Sequence, residues 1–226
     1  MEPLLKTLAQ WLRITIALWA DNSYWMAWNL FLAIVPLGIA AWLFRHRPAR
    51  SPRSPLWWGL AIVFILFLPN APYVLTDLIH LVNDIRYRYT SLWATVMIVI
   101  PQYVLFVAVG FGAYVWSLVW LDGWLRAIGR SRWIPLMEQL LHGLSAVGVF
   151  VGRFWRFNSW DLFTQPHTLL ERMANDLAAH RPALVIGLIW GVLAGLYGLL
   201  KPFAIGYGLY RQQQHQPDRP SSPGQL

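Results

Sequence analysis

Apolar positions in this chain run on without alternation, in stretches long enough to cross a membrane, and polar positions crowd into the breaks between them. Residues 25–44 (WMAWNLFLAIVPLGIAAWLF) carry no charge over twenty positions, which is spanning length for a helix rising 1.5 Å per residue. The next eleven, RHRPARSPRSP, hold four arginines and three prolines and read as a loop. A second apolar run goes from Leu56 to Pro69. A third, Leu92 to Leu121, is too long for one straight crossing and too short for two, so it predicts one helix tilted or kinked around Pro101. A fourth runs from Ile134 to Phe154 with Glu138 and His142 in its first half, and a last one from Pro182 to about Tyr210.

Residues 4–20 are ambiguous. They are long enough for a short span, but Lys6, Gln10 and Arg13 share one helical stripe, as in a helix lying on the membrane surface. Taken as a span, they predict a tight turn at Asp21 and Asn22. The pattern therefore gives an all-α, polytopic transmembrane helix bundle of about six spans, or five if residues 4–20 lie on the surface. Residues 1–210 form one transmembrane domain and 211–226 a disordered cytoplasmic tail.

Composition narrows the class. The chain has 226 residues, 57% apolar with 15 Trp, and only 12% charged; its mean hydropathy is +0.44. Soluble domains carry about a quarter charged residues, and the short alternating segments of a β-barrel are absent. The net charge of +8 does not argue for nucleic acid, because the arginines gather in the 45–55 loop and at Arg126, Arg130 and Arg132. That is the distribution of loops held in the cytoplasm. With no cysteine, thiolate chemistry and disulfides are excluded. The expected setting is a membrane crossed several times, with the C-terminus in the cytoplasm and the lipid bilayer as partner.

The inside-positive loops place two polar motifs at the same, outer, face. The first is FLPNAPYVLTDLIHL, residues 67–81. Pro69 ends the span, Asn70 serves the loose backbone groups, and Pro72 suits the first turn of a short new helix. Counting on, Tyr73, Asp77, His80 and Asp84 fall on one face, at spacings of four, three and four. Leu75, Leu78, Ile79 and Val82 fall largely on the other. Such a helix sits at the outer interface with its polar face to water, or dips that face into the protein. A carboxylate bonded to His80 would orient the ring for proton transfer. A metal would need ligands beyond Asp77 and His80, so no metal site is assigned.

The second motif is GRFWRFNSWD, residues 152–161. Arg153 and Arg156 project from one face at the end of an apolar run, where arginine either turns into the protein or reaches up to headgroups. Asn158, Ser159 and Asp161 follow, and Asp161 can pair with an arginine of either motif. A serine hydrolase arrangement of Ser159, His80 and an aspartate lacks any supporting context. Residues 166–180 read as a second interfacial helix, and Trp28 and Asn29 could contribute from the helix before the arginine loop.

These motifs, with NLFLAIVP at 29–36, resemble an uncharacterised family of polytopic bacterial membrane proteins, a domain of unknown function, over roughly residues 20–180. The resemblance implies a membrane protein in a bacterial setting and supplies no reaction.

Three functional readings follow. In the first, an outer-face site binds or processes an anionic, phosphate-bearing lipid or lipid-linked substrate. Asp77, His80 and Asp161 would handle protons and orient groups, while Asn70, Tyr73, Asp84, Arg153, Arg156 and Asn158 would bind. In the second, the protein is a non-enzymatic accessory or assembly subunit whose motifs are structural. A transporter is third, since the spans lack charges near their middles. No cofactor is named by the sequence. Small residues at helix-packing spacing, Gly148 with Gly152 and Gly187, Gly191 and Gly195, are expected to hold the bundle together, with a helix-mediated oligomer as the other use.

Overall fold

A computed structural model describes residues 2–45, 54–88, 92–155 and 180–214, together with Thr164 and His167. No strand occurs among the described residues. Five helical stretches are long and apolar enough to cross a membrane: Asn22–Arg45, Pro55–Tyr87, Leu92–Ala127, Ser131–Trp155 and Pro182–Gly208.

The first helix, α1 (Glu2–Ala40), runs unbroken for 39 residues, about 58 Å at 1.5 Å per residue. The tight turn expected at Asp21 and Asn22 is therefore absent, and the chain has five candidate spans rather than six. Asparagine makes a turn when its side chain bonds locally to backbone. Here the Asn22 amide is buried and engaged across the fold, donating to Asp84 Oδ2 at 3.0 Å, and neither Gly nor Pro is at hand to break the helix.

A π-helical turn, Ala41–Arg45, closes α1. Helix α2 (Pro55–Phe67) starts with Pro at its first position and the Ser54 hydroxyl accepting from Trp57 N at 3.2 Å, the usual use of these residues at a helix start. The short helices α3 (Asn70–Tyr73) and α4 (Leu78–Asn83) follow, then a π-helical turn at Asp84–Arg88. Next, α5 (Leu92–Ala94) leads through a π-helical turn, Thr95–Val99, into α6 (Ile100–Ala127). The irregularity expected at Pro101 is thus present: the extra residue in the turn accommodates a position with no N–H to donate. At the end of α6, Gly129 adopts φ +73° and Arg130 N bonds back to Leu125 O at 2.8 Å, a left-handed cap that lets α7 (Ile134–Phe150) turn straight back along α6. Helix α7 ends in a π-helical turn, Val151–Trp155, and α8 (His180–Gln214) is the last element. It continues past residue 210, where the tail was expected to begin.

Side-chain contacts fix how the helices run. Tyr103 on α6 meets the Asp84–Asn22 group beside α1, while the Trp124 ring lies 5.7 Å from Phe44. Helices α1 and α6 are therefore parallel and pack against each other, and α2 and α7 run in the opposite direction. One end of the bundle carries Arg45, whose guanidinium lies over the Trp120 ring, and a stack of Trp57 on Trp124. The opposite end carries Asp77, Asp84 and Arg153.

The surface is apolar and the interior partly polar. Trp58, Ile62, Leu105, Leu188 and Phe203 are exposed, while Asn22, Asp77, Asp84, Gln102, Asp122 and His142 are buried. That inversion fits a molecule whose surroundings are hydrocarbon, since polar groups can then find partners only inside. The 70–84 segment follows it: Leu78, Ile79 and Val82 face out and Asp77 and Asp84 face in. Of the two placements open to its polar face, the structure takes the inward one for the carboxylates.

Two glycines let this segment into the bundle. A Cβ added at Gly148 would lie 2.6 Å from the Pro69 ring, and one at Gly110 would lie 2.7 Å from Val74. Close approach at Gly148 matches the expectation of helix packing. At Gly187, Gly191 and Gly195 no described atom lies within 4 Å of an added Cβ, so those three do not pack this bundle among the described residues. Gly148→Ala should cost about 1–3 kcal/mol by overpacking, read as a lower unfolding midpoint in detergent, whereas Gly191→Ala should change it by less than about 0.5 kcal/mol.

Candidate functional site

The turn after α2 is where sequence becomes site geometry. Pro69 and Pro72 withhold two N–H donors, and the chain responds with three-residue spacings: Ala71 N to Leu68 O at 3.1 Å, Leu75 N to Pro72 O at 3.0 Å and Asp77 N to Val74 O at 3.2 Å. Asn70 donates its side-chain amide to Phe67 O at 3.0 Å, serving the span end as expected. The tightened winding delivers Asp77, 1% exposed, into the bundle.

There the carboxylate joins three elements. Its Oδ2 accepts from Asn29 Nδ2 on α1 at 2.8 Å. Its Oδ1 faces Nη1 of Arg153, from the end of α7, at 3.4 Å. The same Oδ1 lies 4.0 Å from His80 Nε2, beyond hydrogen-bond length, so the expected orienting bond between Asp77 and His80 is not formed. Asn29, placed by sequence as a contributor from the preceding helix, is at the centre; Trp28 is exposed.

About two helical turns on, Asp84 Oδ2 accepts from Asn22 Nδ2 and from the Tyr103 hydroxyl, both at 3.0 Å. Trp25 touches a neighbour of each carboxylate: its indole N–H donates to Asn22 Oδ1 at 3.2 Å and its ring lies 4.9 Å from that of His80. Asp84 is buried and Tyr73 half-buried. The His80 side chain is 48% exposed and that of Arg153 25%. The arrangement sets two aspartates inside as fixed acceptors and leaves an imidazole and a guanidinium at the rim. Arginine held by one buried carboxylate is oriented before any ligand arrives, and its planar fork suits a phosphate or carboxylate oxygen pair. Arg156, Asn158, Ser159 and Asp161 lie outside the described residues, as does the helix expected over 166–180 apart from His167 and the first residue of α8.

A second polar group lies toward the other end. Lys201 of α8 pairs with Asp122 Oδ2 of α6 at 2.6 Å and with Glu138 Oε1 of α7. The Tyr197 hydroxyl donates to Glu138 Oε1 at 2.6 Å and lies 3.4 Å from Asp122 Oδ2. His142 Nδ1 is 2.8 Å from the Tyr114 hydroxyl, and its ring meets the Tyr197 ring edge-on at 4.9 Å. Sequence reasoning placed Glu138 and His142 in this span, and the structure gives His142 a buried, hydrogen-bonded position. It passed over Asp122 and Lys201. The available signal was the pair of four-residue spacings, Glu138 with His142 and Tyr197 with Lys201, each putting two polar groups on one helix face. Among the described residues no group of three or more His, Asp or Glu is placed to hold a metal ion.

Lys201 bridges two largely buried carboxylates and ties α8 to α6 and α7. Lys201→Met should destabilise the protein by about 3–5 kcal/mol, the cost of leaving buried charges unpaired, measured as unfolding in detergent. A loss below about 1 kcal/mol would mean that water, rather than lysine, satisfies Asp122 and Glu138.

The family described as Protein of unknown function (DUF1361) matches residues 28–194. That is well over half the chain and includes α2 to α7 with Asn29, Asp77, Asp84, Asp122, Glu138 and Arg153, so the chain belongs to this family. No curated protein and no solved structure matches it.

Proposed function

We propose that this member of the DUF1361 family lies in a bacterial cytoplasmic membrane, with the Asp77 end outermost, and binds there an anionic, phosphate-bearing headgroup of a lipid or lipid-linked substrate. Orientation rests on charge. Arg45, Arg126, Arg130 and Arg132 belong to the opposite end, as does Ser54, which closes the arginine-rich stretch that Arg45 opens, and the positive-inside rule puts the cytoplasm there.

The observation that carries the binding reading is the environment of Asp77. A fully buried carboxylate, fixed by Asn29, holds Arg153 where its guanidinium is still a quarter exposed, with the half-exposed His80 ring beside it. Arg153 clamps the phosphate oxygens, and His80 donates to the same headgroup or takes a proton from it. Arg156, Asn158 and Asp161 follow Arg153 within eight positions in sequence and are assigned to the same site on that ground alone, while Asn70, Tyr73 and Asp84 belong to the segment that carries Asp77 and His80.

A second reading has its own observation. Asp77 and Asp84 each bridge separate helices from buried positions, which is what a purely structural role in an accessory subunit also requires.

Binding of phosphatidylglycerol and phosphatidylcholine to the purified, delipidated protein separates the two. The anionic lipid should bind more tightly, and His80→Ala and Arg153→Lys should each weaken it about tenfold, equivalent to 1.4 kcal/mol. Both variants leave Asp77 its buried partners, Lys replacing Arg as a cation without the fork. Equal binding of the two lipids by the unaltered protein would sink the headgroup reading and favour the structural one.

A further inference from the structure

An apolar groove of about 560 Å³ opens between α6 and α8. We infer that it holds one hydrocarbon chain of the lipid whose headgroup sits at Arg153 and His80; this rests on the binding reading above and extends it to the substrate's tail.

Size is the first argument. Well-packed interiors leave few voids larger than a water molecule, and an apolar cavity of about 150 Å³ already stays dry and takes up apolar guests. A groove several times larger, within stretches long and apolar enough to span a membrane, is filled by what surrounds it there, which is hydrocarbon.

Shape is the second. The lining on α6 runs from Val107 to Trp116 and on α8 from Leu196 to Tyr207. These are about 14 Å and 17 Å of helix at 1.5 Å per residue, close to half of a hydrocarbon core about 30 Å thick. Small residues keep it open: Ala108, Gly112 and Ala204 all line it, and nothing lies within 4 Å of a Cβ built on Gly112. Trp116 and Tyr207 meet edge-on at the far end, with ring centroids 6.1 Å apart.

Continuity with the headgroup site is the third. Leu75 lines the groove and lies two residues before Asp77. Val107 lies one turn along α6 from Tyr103, which bonds Asp84. The groove therefore begins on the two elements that carry Asp77 and the Tyr103 partner of Asp84.

The test uses the full chain, purified and delipidated, with phosphatidylglycerol carrying a photoactivatable diazirine in one acyl chain. Cross-linked peptides are mapped by mass spectrometry. Label should concentrate on residues 107–116 and 196–207. Gly112→Phe or Ala204→Phe, each filling the groove from one wall, should cut label there at least fivefold. Arg153→Lys should weaken overall binding while the label that remains stays on the same two segments. Label spread evenly over all five spans would overturn the groove assignment, and so would full labelling in both folded Phe variants. A dimer that excludes lipid and is broken by Gly112→Phe would overturn it as well, by showing a second copy of the chain in the groove. If the groove is labelled but Arg153→Lys and His80→Ala change nothing, the tail site stands and the headgroup reading falls; the converse pattern leaves the headgroup site and removes the groove.

Discussion

The arrangement depends on one buried carboxylate. Asp77 is charged or neutral only at a cost inside an apolar bundle, and that cost is met by an amide from α1 and a guanidinium from the end of α7. Satisfying one residue therefore draws three parts of the chain together at one end of the bundle. Hydrocarbon supplies no partner from outside, so the polar group that enters must bring its complement with it.

The same rule explains why the polar groups sort into two clusters with apolar packing between them. At the Asp77 end, Asn22, Asp84 and Tyr103 repeat the solution with neutral donors. Toward the other end, Lys201 answers Asp122 and Glu138. Between them the 69–74 turn presses against α7 and α6 at Gly148 and Gly110, with Leu68, Ala71 and Val74 buried around it. Packing in this layer sets the Asp77 end in register, with the His80 ring and the Arg153 guanidinium both facing Asp77 Oδ1.

Much of this was legible in sequence, and the reasons differ by feature. The spans follow from uninterrupted apolar runs, which need no knowledge of partners. The stripe of Asp77, His80 and Asp84 and the break at Pro69 are local, so spacing and proline chemistry predict them. The stripe does not act as a unit, however: the prolines tighten the winding, the aspartates turn in, and His80 stays at the rim. Asn22 misled because Asp-Asn after an apolar run is a turn signal only while the amide bonds locally; its bond to Asp84 crosses 62 positions. Lys201 and Asp122 were overlooked for a related reason. Each is a single charge near the end of an apolar span, unremarkable alone, and their pairing is decided by how α6 and α8 pack.

The most direct test is a double-mutant cycle on unfolding in detergent with Asp77→Asn, Arg153→Gln and the two combined. A buried, shared interaction predicts that the double variant loses at least about 1.5 kcal/mol less than the sum of the single losses. Additivity within about 0.5 kcal/mol would mean that Asp77 and Arg153 do not hold each other, and the account of this end of the molecule would fail.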